Sequence, residues 1–352
     1  MLYFFGKFFN FDMFPLTFAS DQKMTIDTFD DSISTSDLPL ILSEEKTFAD
    51  KANNTLACVA FYNPFGRLTL NQKNILKALT EANCDLLVVN SALKNKKEFL
   101  ALPELKETRV AVCRRNIGLD ITSYILCLTH YSEIVAEYDN VILLNDSITG
   151  PLFPLTEIIE PMQHYDYWGL TDSYQHMYHL QSYFVGLSRD LITNSKFQDL
   201  IKFYSHGKDK SAVIANGEIG ISRFCIDSGV NIGVAYPYDK VAKKWMKKYV
   251  TDQHYAALES HRHLTPENRH IESVHSWLSV KESLNPTHHF WDVLIHDFGF
   301  PFVKNELYIS NPANIPIFNI CEEIESMTGE KIASVIEENR QLFTNTNQYQ
   351  LS

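Results

Sequence analysis

Four short apolar runs, each ending in polar residues and separated by stretches of helical spacing, constrain this chain more than any other feature. TLACVAFY, CDLLVVNS, TRVAVCRR and NVILLND all fall between Thr55 and Asp146. None alternates apolar with polar residues, so each reads as a strand covered on both faces. Leu70 to Ala82 carries apolar residues at helical spacing, and ITSYILCLTHYSEIVAEY is a second helical stretch. Strands alternating with helices predict βαβ units and a parallel sheet. In such sheets ligands sit outside the carboxyl ends of the strands. Asn63, Pro64, Phe65 and Gly66 follow the first run and Ser91 ends the second. Asn116, Gly118 and Asp120 follow the third, and Asn145, Asp146 and Ser147 close the fourth.

The later half changes character. YDYWGLTDS and HLQSYFVGLS read as strands from their aromatic, β-rich composition. DLITNSKFQDLIKFYSHG is an amphipathic helix, NGEIGISRFCIDSG a helix with a glycine stop, and VNIGVAYP one more strand. No internal repeat is visible. The expected organisation has three parts: a poorly structured or Phe-rich extension over 1–50, an α/β domain over 51–312, and a helical, polar tail over 313–352. Within the domain, 51–150 is the nucleotide-binding half and 151–312 the acceptor half.

Composition narrows the function classes. Hydrophobic residues make up 45% and charged residues 21%, which is globular and excludes a disordered chain. Lys and Arg total 31 against 43 Asp and Glu, a net charge of −12. Nucleic-acid binding needs clustered Lys and Arg, so no nucleic-acid partner is expected. None of the six cysteines forms a C-x-x-C pair, and most sit inside apolar runs. They read as small buried hydrophobes in a reducing compartment. No run reaches the roughly 18 apolar residues of a membrane span. The first eighteen residues hold seven Phe, interrupted by Lys7 and Asp12, without a basic n-region. They read as an extension packed on the body, as sequence upstream of a start at Met24, or as a segment for a membrane surface or an assembly partner, not as a secretory signal.

Five stretches could carry chemistry. RRNIGLD offers two guanidiniums, Arg114 and Arg115, for phosphate or carboxylate, with Asn116, a flexible Gly118, and Asp120 for a sugar hydroxyl; Asp120 could equally cap the next helix. In VILLNDSITGPL, Asp146 follows a wholly apolar strand, where a carboxylate binds a metal or a sugar, or simply makes a turn. In HLQSYFVGLS, His179, Gln181 and Tyr183 alternate and so share one strand face. With Asp166, Trp168 and Asp172 nearby, they read as a sugar-binding wall or as a half-solvated face. In NGEIGISR, Glu218 near a helix start is a general base or a carboxylate favoured there by the helix dipole. NPTHHFWDVL and GFPFVKNEL bring His288, His289 and Lys304 late in the chain as metal and phosphate ligands.

On RRNIGLD, YDNVILLNDSITGPL, YDYWGLTDS, HLQSYFVGLS, NPTHHFW and GFPFVKNEL, in that order and spacing, the chain resembles the rhamnan synthesis protein F family of bacterial glycosyltransferases. The match spans about residues 55 to 312. The resemblance implies a GT-A-like, Rossmann-type mixed sheet flanked by helices, with a C-terminal helical appendage. It implies transfer of rhamnose from dTDP-rhamnose to a growing cell-surface polysaccharide or lipid-linked glycan. Similar transferases carry Asp-x-Asp at the end of a central strand. Here that stretch is Asn145-Asp146-Ser147, which departs from the pattern and puts dependence on Mg²⁺ or Mn²⁺ in question. Asp146, His288 and His289 would be the metal ligands.

The expected mechanism is inverting, because a single positioned base suffices and no nucleophile pair is evident. Glu218 deprotonates the acceptor hydroxyl, with Asp172 or Asp227 as substitutes. Asp146 with a metal ion, and the basic donors Arg115 and Lys304, offset charge on the leaving diphosphate. Asn63, Asn116, Gly118, Asp120, Asn145 and Ser147 hold nucleoside and donor sugar. Trp168, Asp172, His179, Gln181 and Tyr183 line the acceptor or sugar wall. The expected location is cytoplasmic, at the inner face of the membrane. Two alternatives stay open: another donor such as UDP-galactose or UDP-galactofuranose, and a non-catalytic subunit that binds a sugar nucleotide or glycan.

Overall fold

The computed structural model describes residues 42–47, 49–202, 204, 214–251, 265–317 and 319–350. The Phe-rich start and the end of the helical stretch beyond Lys202 lie largely outside them.

Strands β1 (Leu42–Thr47), β2 (Thr55–Phe61), β3 (Cys84–Asn90), β4 (Val110–Arg114) and β5 (Asn140–Asn145) build one half of the main sheet. The other half holds β7 (Tyr167–Ser173), β8 (His179–Leu180), β9 (Phe184–Ser188) and β10 (Ile232–Tyr236). The order is β1-β4-β3-β2-β5-β9-β7-β10, with β8 pairing β7. The four expected runs form the parallel block β4-β3-β2-β5. Strand β9 runs antiparallel to both neighbours and β10 parallel to β7, so the sheet is mixed. This is the mixed α/β sheet flanked by helices, with a helical C-terminal region, that the sequence implies.

Register sets the site edge. Phe61 pairs Asn90, Ala60 pairs Asn145 and Asn90 pairs Cys113, so the carboxyl ends of β2 to β5 come out level. Strand β7 has the same direction as β5, and its end joins β8 through Ser173 and His179. His179 therefore stands at that same edge.

The continuous apolar runs have a simple cause. Ala57 and Val59 enter one core, and Leu56 and Cys58 enter the other, on the opposite face of the sheet. The first core also holds Ile75 and Leu79 of α1 (Leu70–Glu81) and Trp245 of the helix Tyr238–Tyr249. Ile320, Ile324, Ile332 and Ile336 of the C-terminal region pack into it too. The second core holds Ile125 and Leu128 of α2 (Leu119–His130).

Two further features matter. The expected extension over 1–50 includes β1, which pairs antiparallel with β4. Its sequence LSEEKT is charged because one side of an edge strand faces water, and such charges discourage pairing with other chains. A small sheet joins β6 (Ile148–Thr149) to β11 (Val303–Lys304), antiparallel, with Lys304 opposite Ile148. That pairing carries the late GFPFVK stretch to the end of β5. No helix among the described residues is long and apolar enough to cross a membrane.

Candidate functional site

The site grows from the end of β5. Asn145 accepts from the backbone N–H of Ser147 at 3.0 Å and from the Ser147 hydroxyl, and its amide donates to Asp120. Asp146 comes next. Its Oδ2 accepts from Gln72 Nε2 at 2.8 Å and from the Tyr62 N–H at 3.4 Å. Burial raises this carboxyl to about 6, with those two bonds pulling the other way. Asp146 is thus held from β2 and α1, across the top of the parallel block.

Gln72 reaches Asp146 because of a helix cap. Thr69 caps α1 in a capping box, with Gln72 as its third helical residue. Gln72 Oε1 takes bonds from the Thr69 N–H and from Asn63 Nδ2, which frees its amide to point at Asp146. Asn63 is fully buried, and its amide and carbonyl bond Arg67, Gln72 and Phe65. The structure places Asn63 behind the cleft as the support of Gln72. Short polar residues at a loop start can serve either purpose, and here internal bonds take the whole side chain.

The RRNIGLD loop is organised by its first arginine. Arg114 is fully buried, and its guanidinium donates to Ser123 and to the carbonyls of Arg115, Ile117 and Leu119. Burial lowers it to about 10, where it keeps its proton at neutral pH. It ties the loop in place and leaves Arg115 and Asn116 exposed beyond β4. Gly118, at φ +67°, takes the left-handed turn that starts α2 and sets Asp120 in its first turn. Asp120 is raised above the ordinary carboxylate range by burial first and then by the charge of Glu218, with Lys304 opposing.

Glu218 lies on a turn of π-helix, Ile214–Ile219, continued by the helix Gly220–Asp227. Such bulges recur at functional sites. A Cβ on Gly217 would meet Ile121 of α2 at 3.0 Å, so glycine permits the close approach that brings Glu218 towards Asp120. Glu218 Oε1 accepts from the Ser182 N–H at 3.1 Å and from the Ser182 hydroxyl. Its Oε2 lies 3.6 Å from His179 Nε2. Behind it is an apolar cavity lined by Ile121, Tyr124, Leu143, Tyr167 and Phe197, with Ser182 and Glu218 as polar lining. Tyr124 donates to the Ser182 carbonyl at 3.1 Å and feels the charges of Asp120, Glu218 and Asp146.

Lys304 completes the cleft. Its ammonium donates to Ser147 Oγ at 2.8 Å and lies 4.5 Å above the centre of the Tyr183 ring. Asn305 fastens the same connection, donating to the Asp146 carbonyl at 2.8 Å.

The expected wall is differently built. His179 to Ser188 is not one strand: β8 stops at Leu180, Ser182 and Tyr183 form a turn, and β9 starts at Phe184. Alternation therefore does not put His179, Gln181 and Tyr183 on one face. His179 joins Glu218, and Tyr183 lies under Lys304 with its hydroxyl 2.5 Å from Thr171 Oγ1. Gln181 accepts from Thr171 and donates to Asn285 at 3.5 Å. Trp168 is core, packed against Phe184 and leaving no room for a Cβ at Gly186, because its indole is too large and apolar to stay at the surface. Asp172 is buried and accepts from the Tyr238 N–H at 2.6 Å, fixing the start of the helix Tyr238–Tyr249. Asp166 accepts from Ser188 Oγ at 2.9 Å, and Asp227 pairs with Arg223 at 3.3 Å on the surface.

The two late histidines diverge. His288 Nε2 is 3.8 Å from Glu306 Oε2, and His289 stacks on His270 with ring centres 5.9 Å apart. Burial lowers His289 to about 4, so it is neutral at pH 7. Among the described residues no group of three or more His, Cys, Asp and Glu is placed to hold a metal ion.

Sequence reasoning missed Gln72, Ser182 and Tyr124, and saw in Arg114 a phosphate donor rather than the anchor of its own loop. Only Gln72 had a legible signal, the Thr-x-x-Gln capping box, and that signal points to a helix start rather than to a site.

Comparison with known proteins bears on this geometry. Two Vibrio anguillarum proteins, both named virulence protein VirA, are 29% identical over 231 residues, covering 64% of this chain and 69% of theirs. The family model of rhamnan synthesis protein F matches residues 86–263, half of the chain, and takes in Asp120, Asp146, His179 and Glu218. On that match the chain belongs to the rhamnan synthesis protein F family.

Proposed function

We propose that this protein is an inverting glycosyltransferase of polysaccharide synthesis that moves rhamnose from dTDP-rhamnose to a growing cell-surface polysaccharide or lipid-linked glycan. The observation that carries the reading is the chain of bonds from Asp120 through Asn145 and Ser147 to Lys304 at the carboxyl edge of the sheet, next to Asp146, with Glu218 held on Ser182. Glu218 takes the acceptor proton as the hydroxyl oxygen attacks the anomeric carbon. Ser182 pins one oxygen of Glu218, which fixes the direction of the other. A single placed base suits inversion, since no second nucleophile is needed.

Lys304 offsets charge on the leaving diphosphate, and its bond to Ser147 keeps the ammonium at the end of β5. Asp120, Asn145 and Ser147 form a polar chain suited to donor-sugar hydroxyls. Arg115 and Asn116 stand at the rim, within the loop that Arg114 anchors.

A divalent metal, Mg²⁺ or Mn²⁺, would be held by Asp146, whose two hydrogen bonds from Gln72 and Tyr62 both fall on Oδ2. One protein carboxylate fits Mg²⁺ when substrate phosphates complete the shell. Bound there, the ion would supply further charge neutralisation at the diphosphate. The six free cysteines suit a reducing compartment, in keeping with work at the cytoplasmic face of the membrane.

The test is a thermal-shift and turnover panel of sugar nucleotides, with and without Mg²⁺ or Mn²⁺. A specific donor adds about 2.7 kcal/mol of stability at 100 times its dissociation constant, so dTDP-rhamnose should stand out from UDP-galactose. A second arm uses Glu218→Gln, which keeps shape and removes basicity. Transfer should fall by about 10²–10⁴-fold with donor affinity unchanged. Wild-type transfer in that variant overturns the base assignment.

A further inference from the structure

One bond fixes the tautomer of His179. Its Nδ1 lies 2.8 Å from the carbonyl oxygen of Met177. A carbonyl can only accept, so Nδ1 carries the hydrogen. In the neutral ring Nε2 then holds a lone pair, and that lone pair faces Oε2 of Glu218 at 3.6 Å. Two acceptors so placed repel unless a proton comes between them. Meanwhile Ser182 takes the other oxygen, Oε1. Glu218 thus has one oxygen pinned by donors and one directed at a basic nitrogen. Both side chains are sheltered, with His179 6% and Glu218 18% exposed. Catalytic contacts of this kind are commonly long before substrate binds and tighten in the complex.

We propose that His179 is the proton partner of Glu218, orienting its Oε2 and receiving through Nε2 the proton that Glu218 draws from the acceptor. The inference rests on the reading of Glu218 as the base. The acceptor O–H bond breaks as its oxygen bonds the anomeric carbon. The bond from that carbon to the diphosphate oxygen breaks, and its electron pair leaves with the diphosphate. The proton passes to Glu218 Oε2 and on to His179 Nε2, leaving a carboxylate beside an imidazolium. The imidazolium then returns the proton to solvent, and the pair is reset. His179 works through Glu218 and is a positioning residue.

The experiment combines a mutant cycle with one spectroscopic reading, all on the full chain. His179→Asn keeps an amide donor for the Met177 carbonyl and removes Nε2. With dTDP-rhamnose as the donor probe, kcat should fall about ten- to a hundredfold, less than the loss of the base itself, while the donor KM stays within twofold. In the Glu218→Gln background the same change should add nothing, because the two residues act as one unit. Effects that multiply, or an unchanged kcat in His179→Asn beside an impaired Glu218→Gln, overturn the inference and leave the base reading standing. Wild-type transfer by Glu218→Gln removes the base reading itself. Ring nitrogen shifts of His179, read by NMR without any turnover, should show the Nδ1–H form. An Nε2–H ring overturns the inference whatever the kinetics.

Discussion

Lys304 and Ser147, 157 residues apart in the chain, are joined by a 2.8 Å bond from the ammonium to the hydroxyl. The pairing of β6 with β11 makes that contact, and the Tyr183 ring lies beneath the ammonium. A flexible side chain is so restricted from both sides that its charge stands at a defined place before any donor arrives. Preorganised charge of this sort stabilises a leaving group without reorganisation during the reaction.

The first prediction follows from that geometry. Lys304→Met should weaken donor binding and turnover together, and the salt dependence of donor binding should shrink. Lys304→Arg should restore little, because a planar guanidinium cannot reproduce both the bond to Ser147 and the seat over Tyr183. Donor titrations at two salt concentrations check this. Full recovery in the arginine variant would show that charge alone suffices.

Asp146 gives a prediction about stability as well as rate. Its carboxyl is raised to about 6, chiefly by burial. The folded protein therefore binds its proton more tightly than the unfolded chain does. Between about pH 4 and 6 the native state holds more protons, so stability falls as pH rises through that window. Asp146→Asn keeps an acceptor for Gln72 and Tyr62 but carries no charge. It should lower turnover by orders of magnitude and yet raise Tm at pH 8. The gain has an upper bound of about 3 kcal/mol, from the difference between about 6 and the ordinary 3.8. At pH 4 the gain should vanish. Paired melts at pH 4 and 8 decide the matter, and a variant less stable at pH 8 would contradict the burial argument.

Gln72 should behave as part of the same site although it touches no reacting atom. Gln72→Leu takes one of several partners from each of Asn63 and Asp146, a loss of up to about 1–3 kcal/mol per buried group. Turnover should fall further than stability explains. Gln72→Glu keeps the acceptor for Asn63 but sets a second carboxylate against Asp146, so its turnover should drop more steeply above pH 6 than below. A Gln72→Glu profile parallel to wild type would separate Gln72 from the chemistry.

What the sequence made legible follows from burial. Strands β2 to β5 are covered on both faces, so they appear as unbroken apolar runs, and their polar ends mark the edge where Asp120, Asn145 and Asp146 meet. Residues 179–188 misled because alternation continues through Ser182 and Tyr183, where the chain turns; no local signal separates a strand from a strand broken by a tight turn. The closeness of Glu218 to Asp120 was invisible for another reason. It depends on Gly217 packing against Ile121, a contact between residues 96 positions apart. Strand β1 was unreadable because an edge strand can be as charged as a loop.

That edge strand supports the last prediction. Strand β1 covers β4, with Thr47 opposite Val110 and Leu42 opposite Arg114. Glu45 also takes a bond from the Tyr131 hydroxyl, tying the strand to the end of α2. A chain started at Lys51 loses both and bares the backbone N–H and C=O row of β4. Such an open edge invites pairing with other chains. The shortened protein should melt a few degrees lower and scatter light at concentrations where a chain started at Leu42 stays clear. Its kcat as a monomer should hold, since the cleft lies at the carboxyl ends of the strands and β1 supplies none of the residues in it. Melting curves and light scattering on the two chains give the comparison. Equal behaviour would mean that β1 is ornamental, and a lost kcat would mean that β4 needs its partner to hold Arg114 and the loop to Asp120 in place.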